Sequence, residues 1–111
     1  MDTIKIATLF ESASVALEDA RMKMIDYIEC AVKELGNEVE LDDLPMAYTL
    51  DGEVINTFVK GIFYEKDKEL YEIYCYWYDE CGDFDDGNEP LFDLTANELY
   101  SIMMFLQEKV K

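Results

Sequence analysis

MAYTLDGEVINTFVKGIFYEKDKELYEIYCYWY, residues 46–78, decides the fold of this chain. Asp51-Gly52, set between two runs rich in branched and aromatic residues, is a two-residue hairpin signal, because both residues tolerate the positive φ that such turns demand. Lys66-Asp67-Lys68 marks a second turn. The stretch therefore reads as a three-stranded antiparallel meander, with strands over 46–50, 54–64 and 70–78. With Asp67-Lys68 at the centre of the second turn, Ile62 faces Ile73, Phe58 faces Trp77 and Tyr64 faces Tyr71, a row of cross-strand pairs able to form a core face. The same register sets Gly61 opposite Tyr74 on the other face, where an aromatic ring covers a glycine.

Helices are expected on both sides. Upstream, Ile6, Phe10, Ala13, Leu17, Ala20, Met24, Ile28, Ala31 and Leu35 recur three or four apart and hold one apolar seam. Gly36-Asn37 supplies a stop suited to positive φ. An unbroken helix over 3–35 is about 50 Å long and overhangs a domain of this size, so a break or bend is expected near Glu11-Ser12-Ala13-Ser14, with Ser12 or Ser14 capping the second part. Arg21, the only arginine, lies inside the apolar sector and is expected to pair with a carboxylate from another element rather than with Glu18 or Asp19. Downstream, Thr95-Ala96-Asn97-Glu98 is a capping box flanked by Leu94 and Leu99, which starts a helix at Ala96 running towards Lys109. The order is a long helix, three strands and a C-terminal helix packed on the sheet: one α+β domain over 1–111.

Charge is the strongest functional signal. The chain has 26 acidic and nine basic residues in 111, no histidine, and a formal net charge of −17. From 69 to 108 there are eleven carboxylates and no lysine or arginine. Half of the residues are hydrophobic and 14% aromatic, so this acidity does not signal disorder. Such a field repels nucleic acid and anionic membrane surfaces, and attracts basic proteins. Duplex DNA carries a charge every ~1.7 Å, so seventeen charges correspond to about 29 Å of duplex, comparable with the domain's own diameter.

In charge and size the chain resembles two groups of small inhibitors: phage-type DNA mimics that block restriction or CRISPR nucleases, and immunity proteins that plug basic toxin nucleases. The resemblance is one of composition; it covers no defined segment and transfers no residue. It implies a non-catalytic module docking on a basic surface, that of a nucleic-acid-binding protein or nuclease. The residues expected to meet such a partner are Glu69, Glu72, Asp79, Glu80, Asp83, Asp85, Asp86, Glu89 and Asp93, with Tyr74, Tyr76 and Tyr78 lining one face of the third strand. A mimic gathers these acids on one continuous face; a scattered arrangement favours an accessory domain whose acidity serves solubility.

Other chemistry finds little support in the residue pattern. Aligning Asp83 and Asp85 with the first ligands of a calcium loop puts Gly87, Asn88 and Leu94 where an EF-hand needs a ligand, a glycine and a glutamate, which leaves only an irregular divalent-cation site in the loop 79–93. Without histidine, no serine has a base to activate it, and no glycine pattern cradles phosphate; neither an enzyme nor a cofactor is expected. Cys30, Cys75 and Cys81 are odd in number and form no C-x-x-C pair, and residues 1–5 lack a basic start followed by an apolar run. These features point to a reducing, cytoplasmic setting. The last helix is apolar beyond its seam, and Tyr100, Met104 and Phe105 suggest a homodimer through it.

Overall fold

The computed structural model describes residues 1–50, 53–78 and 81–110. Two layers are formed. One is an antiparallel sheet of four strands in sequential order: β1 (Glu38–Leu50), β2 (Glu53–Glu65), β3 (Leu70–Tyr78) and β4 (Phe84–Pro90). The other consists of α1 (Thr3–Glu34) and α2 (Ala96–Lys109), which pack together on one face of the sheet, with a 3-10 turn (Leu91–Asp93) leading into α2.

The fourth strand corrects the expectation of three. Residues 84–90 read FDDGNEP, with no apolar alternation and with a glycine and a proline, so strand propensity is low. Pairing with the open edge of β3 decides their state: Phe84 lies opposite Tyr78, Asp86 opposite Tyr76 and Glu89 opposite Ile73. Acids and a proline suit an edge strand, since they discourage further pairing. The hairpin centre, Asp51-Gly52, lies outside the described residues, though Leu50 and Glu53 pair across it.

The register of β2 and β3 agrees with expectation at one end only. Ile62 pairs with Ile73, Tyr64 with Tyr71 and Gly61 with Tyr74, but Phe58 pairs with Tyr76, and Trp77 pairs with Thr57. A bulge at Lys60 shifts the count by one residue, and a one-residue slip reverses which side chains face inward. Val59 thereby turns into the core, fully buried, while Phe58 turns out. Opposite Lys60, β1 has its own irregularity between Glu40 and Leu44, where Asp42 and Asp43 adopt φ of 53° and 57°. Aspartate tolerates this left-handed conformation better than most residues.

The core joins Ile25, Ile28 and Val32 of α1 and Leu99, Ile102 and Leu106 of α2 to Leu41, Val59, Ile62 and Ile73 of the sheet. Both helix punctuation marks hold. Gly36 and Asn37 have φ of 104° and 68°, and the Thr95 hydroxyl accepts from Glu98 N while Glu98 Oε1 accepts from Thr95 N at 2.8 Å. Thr57, on the inner face, has a buried Oγ1 with no hydrogen-bond partner among the described residues. An unpaired buried hydroxyl costs about 1–3 kcal/mol, and valine has nearly the same shape. Thr57→Val is therefore expected to raise stability by about 1 kcal/mol in urea denaturation; a loss of that size would show that the hydroxyl is satisfied in solution.

Helix α1 is continuous, which corrects the expected break near Ser12. Asp2 caps it, its carboxylate accepting from Lys5 N at 2.9 Å, and Ser12 and Ser14 sit mid-helix. The helix does not bend to stay on the domain; it overhangs. Residues 1–20 are all exposed, and the radius of gyration is 16.4 Å, against roughly 13 Å for a compact chain of this length. Arg21 marks where the helix meets the body. Its Nη1 donates to the carbonyls of Phe92 and Leu94 at 2.7 and 3.1 Å, while Nε and Nη2 pair with Glu18. The local pair corrects the expectation of a distant carboxylate: residues three apart are neighbours on a helix surface, and backbone carbonyls absorb the remaining donors.

Candidate functional site: the outer face of the sheet

The helices cover one face of the sheet, and among the described residues no element covers the other. Alternation along β3 puts Tyr74, Tyr76 and Tyr78 on this outer face, with Phe58 of β2 and Phe84 of β4 beside them. Tyr76 is the hub. Its ring stacks on Phe58 and Phe84 with centroids 5.3 and 5.6 Å away, and Tyr78 meets it edge-on at 6.2 Å. Tyr78 and Phe84 remain more than half exposed. A mutually stacked aromatic group of this kind is held rigid, so it loses little entropy on contact with a partner.

Carboxylates frame these rings. The Tyr74 hydroxyl donates to Asp86 Oδ2 at 2.5 Å, and the Asp43 charge, carried by the β1 irregularity, acts on the Tyr76 phenol. Both phenols titrate above the ordinary tyrosine range: Tyr74 chiefly through its bond to Asp86, Tyr76 chiefly through burial, with the Asp43 charge adding to it. Glu38 and Glu40 stand on the same face of β1, opposite Phe63 and Gly61. A shallow hollow of about 420 Å³ lies between Glu38, Glu40, Lys60, Gly61, Tyr74 and Asn88. A second, of about 290 Å³, shares Glu40 and Lys60 with it and adds Asp42 and Asp43.

Among the described residues, Lys60 is the base inside this frame. The bulge turns it outward, and its ammonium sits 5.2 Å from the Tyr76 ring centroid and 5.9 Å from that of Tyr74. The face thus already holds a cation over its tyrosines, an arrangement favoured by the negative faces of the rings.

Comparison with protein-family models, curated proteins and solved structures finds no match to this chain.

The acids expected from the sequence do not all meet on this face. Asp86 does, beside Tyr74 and Tyr76. Asp85 and Glu89 lie opposite Trp77 and Ile73, which puts them on the helix side of the sheet. There Glu89, Asp93 and Glu98 border a separate hollow of about 180 Å³ with Thr57, Cys75 and Trp77. Burial pushes the Cys75 thiol up to about 11, with the charges of Glu89 and Glu98 adding to the shift, so it is a poor nucleophile at neutral pH. Glu69 sits in the β2–β3 turn with φ of 56°, at the other end of the nine-residue β3 from Asp83. Glu72 is buried, 3% exposed, and pairs with Lys68 at 3.4 Å, out of a partner's reach. Asp79 and Glu80 fall outside the described residues. Among the described residues, no three cysteines or carboxylates converge as a cation site, and no helix is long and apolar enough to cross a membrane.

Several members of the face are not among the residues expected to meet a partner: Glu38, Glu40, Asp42, Asp43, Lys60 and Phe84, together with Phe58, which the sequence puts on the core face. The alternation Glu38-Val39-Glu40-Leu41 was the available signal for the first two, since it marks a strand with an acidic outer side. Phe58 and Lys60 depend on the bulge. Nothing local announces it.

Proposed function

We propose that the outer face docks on a basic, arginine-bearing protein surface, and that the chain acts as a non-catalytic binding module. The observation that carries the reading is the rigid, uncovered group of Phe58, Tyr76, Tyr78 and Phe84, framed by Asp43, Asp86, Glu38 and Glu40. Aromatic rings next to carboxylates suit guanidinium groups, which stack on the former and bond the latter. The net charge of −17 supplies long-range attraction, which raises association rates more than affinity. Lys60 occupies the place where a partner's cation would sit, so it competes with docking.

Inhibition of a nuclease by occupying its DNA-binding surface is the finer form of this proposal. The acids of 69–108 divide between two faces of the sheet, so the frame contributed by β1 carries the reading instead. That same division favours a second reading, an accessory domain with acidity dispersed for solubility.

Octa-arginine is the probe that separates them, read by amide chemical shifts at low salt. Docking predicts shifts concentrated on Tyr74, Tyr76, Tyr78, Phe84 and Asp43. Tyr76→Ala is expected to weaken binding about tenfold, the value of one stacked cation–aromatic contact of about 1–2 kcal/mol, and Lys60→Met to strengthen it. Octa-lysine, with equal charge but no planar group, should bind more weakly. Shifts spread over every acidic segment, with no response to either substitution, would establish the accessory reading. Displacement of duplex DNA from a sequence-nonspecific basic protein, lost with Tyr76→Ala, tests the inhibitor form.

A further inference from the structure

We propose that the projecting half of α1 is a self-association arm, which pairs antiparallel with the same segment of a second copy. The segment cannot be explained as part of the folded body. Residues 3–20 form about 27 Å of helix with every residue exposed. Ile4, Phe10, Leu9 and Leu17 are 79%, 74%, 60% and 59% exposed. A lone helix of this length, interrupted by β-branched residues and serines, is only marginally stable in water. The row that faces the core lower down as Ile28 and Ala31 continues upward as Met24, Ala20, Leu17, Ala13, Phe10 and Ile6. From Leu17 to Ile6 every residue is exposed, and none of the described residues buries the row.

The charge pattern identifies the occupant. In a chain of −17, residues 3–17 hold one lysine and one glutamate, net zero. Spacings of four and three define a heptad seam at 6, 10, 13, 17, 20 and 24. The positions flanking that seam are Ala7, Leu9, Ser14, Ala16, Arg21 and Lys23, without one carboxylate. Glu11, Glu18 and Asp19 fall on the far side. Two copies of so acidic a protein repel each other almost everywhere, yet along this stripe they meet without repulsion. A basic partner has nothing here to attract it.

Side-chain size sets the orientation. One core position of the heptad is large (Phe10, Leu17) and the other is small (Ala13), with Ile6 closing the row. Parallel pairing would stack Phe10 on Phe10 and Ala13 on Ala13. Antiparallel pairing puts Phe10 of each copy over Ala13 of the other and Ile6 over Leu17, alternating large with small as close packing requires. Every residue it uses lies in the exposed stretch. The two acidic bodies end up at opposite ends of the pair, which minimises their repulsion.

Sedimentation equilibrium of the full chain at physiological salt, from low micromolar upward, tests this together with circular dichroism. The expected result is a species of twice the 12.9 kDa monomer mass, with helicity rising as the dimer forms. Phe10→Glu lies outside the core and leaves the fold intact; it is expected to weaken association about a hundredfold, as two desolvated phenylalanines are lost. Ala13→Leu should weaken it too, whereas strengthening would overturn the antiparallel arrangement. Met104→Glu on α2 should change nothing; if that substitution dissolves a dimer that Phe10→Glu leaves intact, the arm is not the interface. A monomer at all concentrations, gaining helicity only with phosphatidylcholine vesicles, would mean that a lipid surface covers the stripe.

Discussion

Ile28→Ala is expected to cost about 2–5 kcal/mol, the range for truncating a fully buried branched side chain. Ile28 has no exposed surface and sits one turn beyond Ile25, within the buried stretch of α1. Its helical companions there are few, since the buried residues of α1 are Ile25, Ile28, Ala31 and Val32. Four buried residues, one of them already an alanine, carry most of the apolar anchoring of a helix of thirty-two; Met24 and Tyr27 pack beside them, and Arg21 ties the helix to the Phe92 and Leu94 carbonyls. Losing Ile28 should therefore do more than lower the urea midpoint. Amide exchange along α1 should accelerate ahead of exchange in β2 and β3, because the helix can detach while the sheet keeps its own ladder. Uniform acceleration, or a loss below 1 kcal/mol, would mean that the helix is held by something other than this cluster.

Gly61→Ala carries the second large effect. A Cβ built at Gly61 would lie 2.8 Å from the carbonyl oxygen of Val39, a backbone atom that cannot swing aside. The β1–β2 ladder must part, and overpacking of this kind costs about 1–3 kcal/mol. Gly61 adjoins the Lys60 bulge and lines the larger outer hollow, so the same change should displace Lys60 from its place over the tyrosines. Gly87 is the control. A Cβ there meets only the Trp77 ring at 3.5 Å, an ordinary contact, and Gly87→Ala should be neutral or stabilising by about 0.4–1 kcal/mol through the unfolded chain. Urea denaturation of both variants checks the pair. Equal effects would place the strain elsewhere.

Local chemistry explains what was legible in advance. The capping box at Thr95, the stop at Gly36-Asn37 and the alternation in β3 are short-range patterns whose energetics lie within a few residues. The same holds for the tyrosine row at 74, 76 and 78, which strand alternation alone sets on one face. Strand β4 was hidden because FDDGNEP has no preference of its own and borrows its state from the edge of β3. The pairing of Phe58 with Tyr76 was hidden because it depends on a bulge formed between two strands, one of them bent by Asp42 and Asp43.

The candidate site divides along the same line. Its aromatic centre followed from sequence alternation. Its acidic frame comes mainly from the 38–43 part of β1, upstream of the strand expected at 46–50, while Asp85, Glu89, Asp93 and Glu98 lie on the helix side and Glu69 in a turn. The overhang of α1 is likewise tertiary in origin. Its seam was evident; that the core would end at Ile25 and leave the seam above Arg21 uncovered was not.

By itself, then, the chain determined its two helices, the β2–β3 hairpin, their punctuation, its excess of negative charge and which residues of β3 share a side. Those properties arise from backbone preference and from charges that are simply counted. Tertiary structure alone decided the fourth strand, the inversion of side-chain direction at Lys60, the meeting of Asp43 with Tyr76 and the exposed arm. Each depends on which distant segment arrives as a neighbour, and that is settled by competition among surfaces rather than by any residue's own tendency.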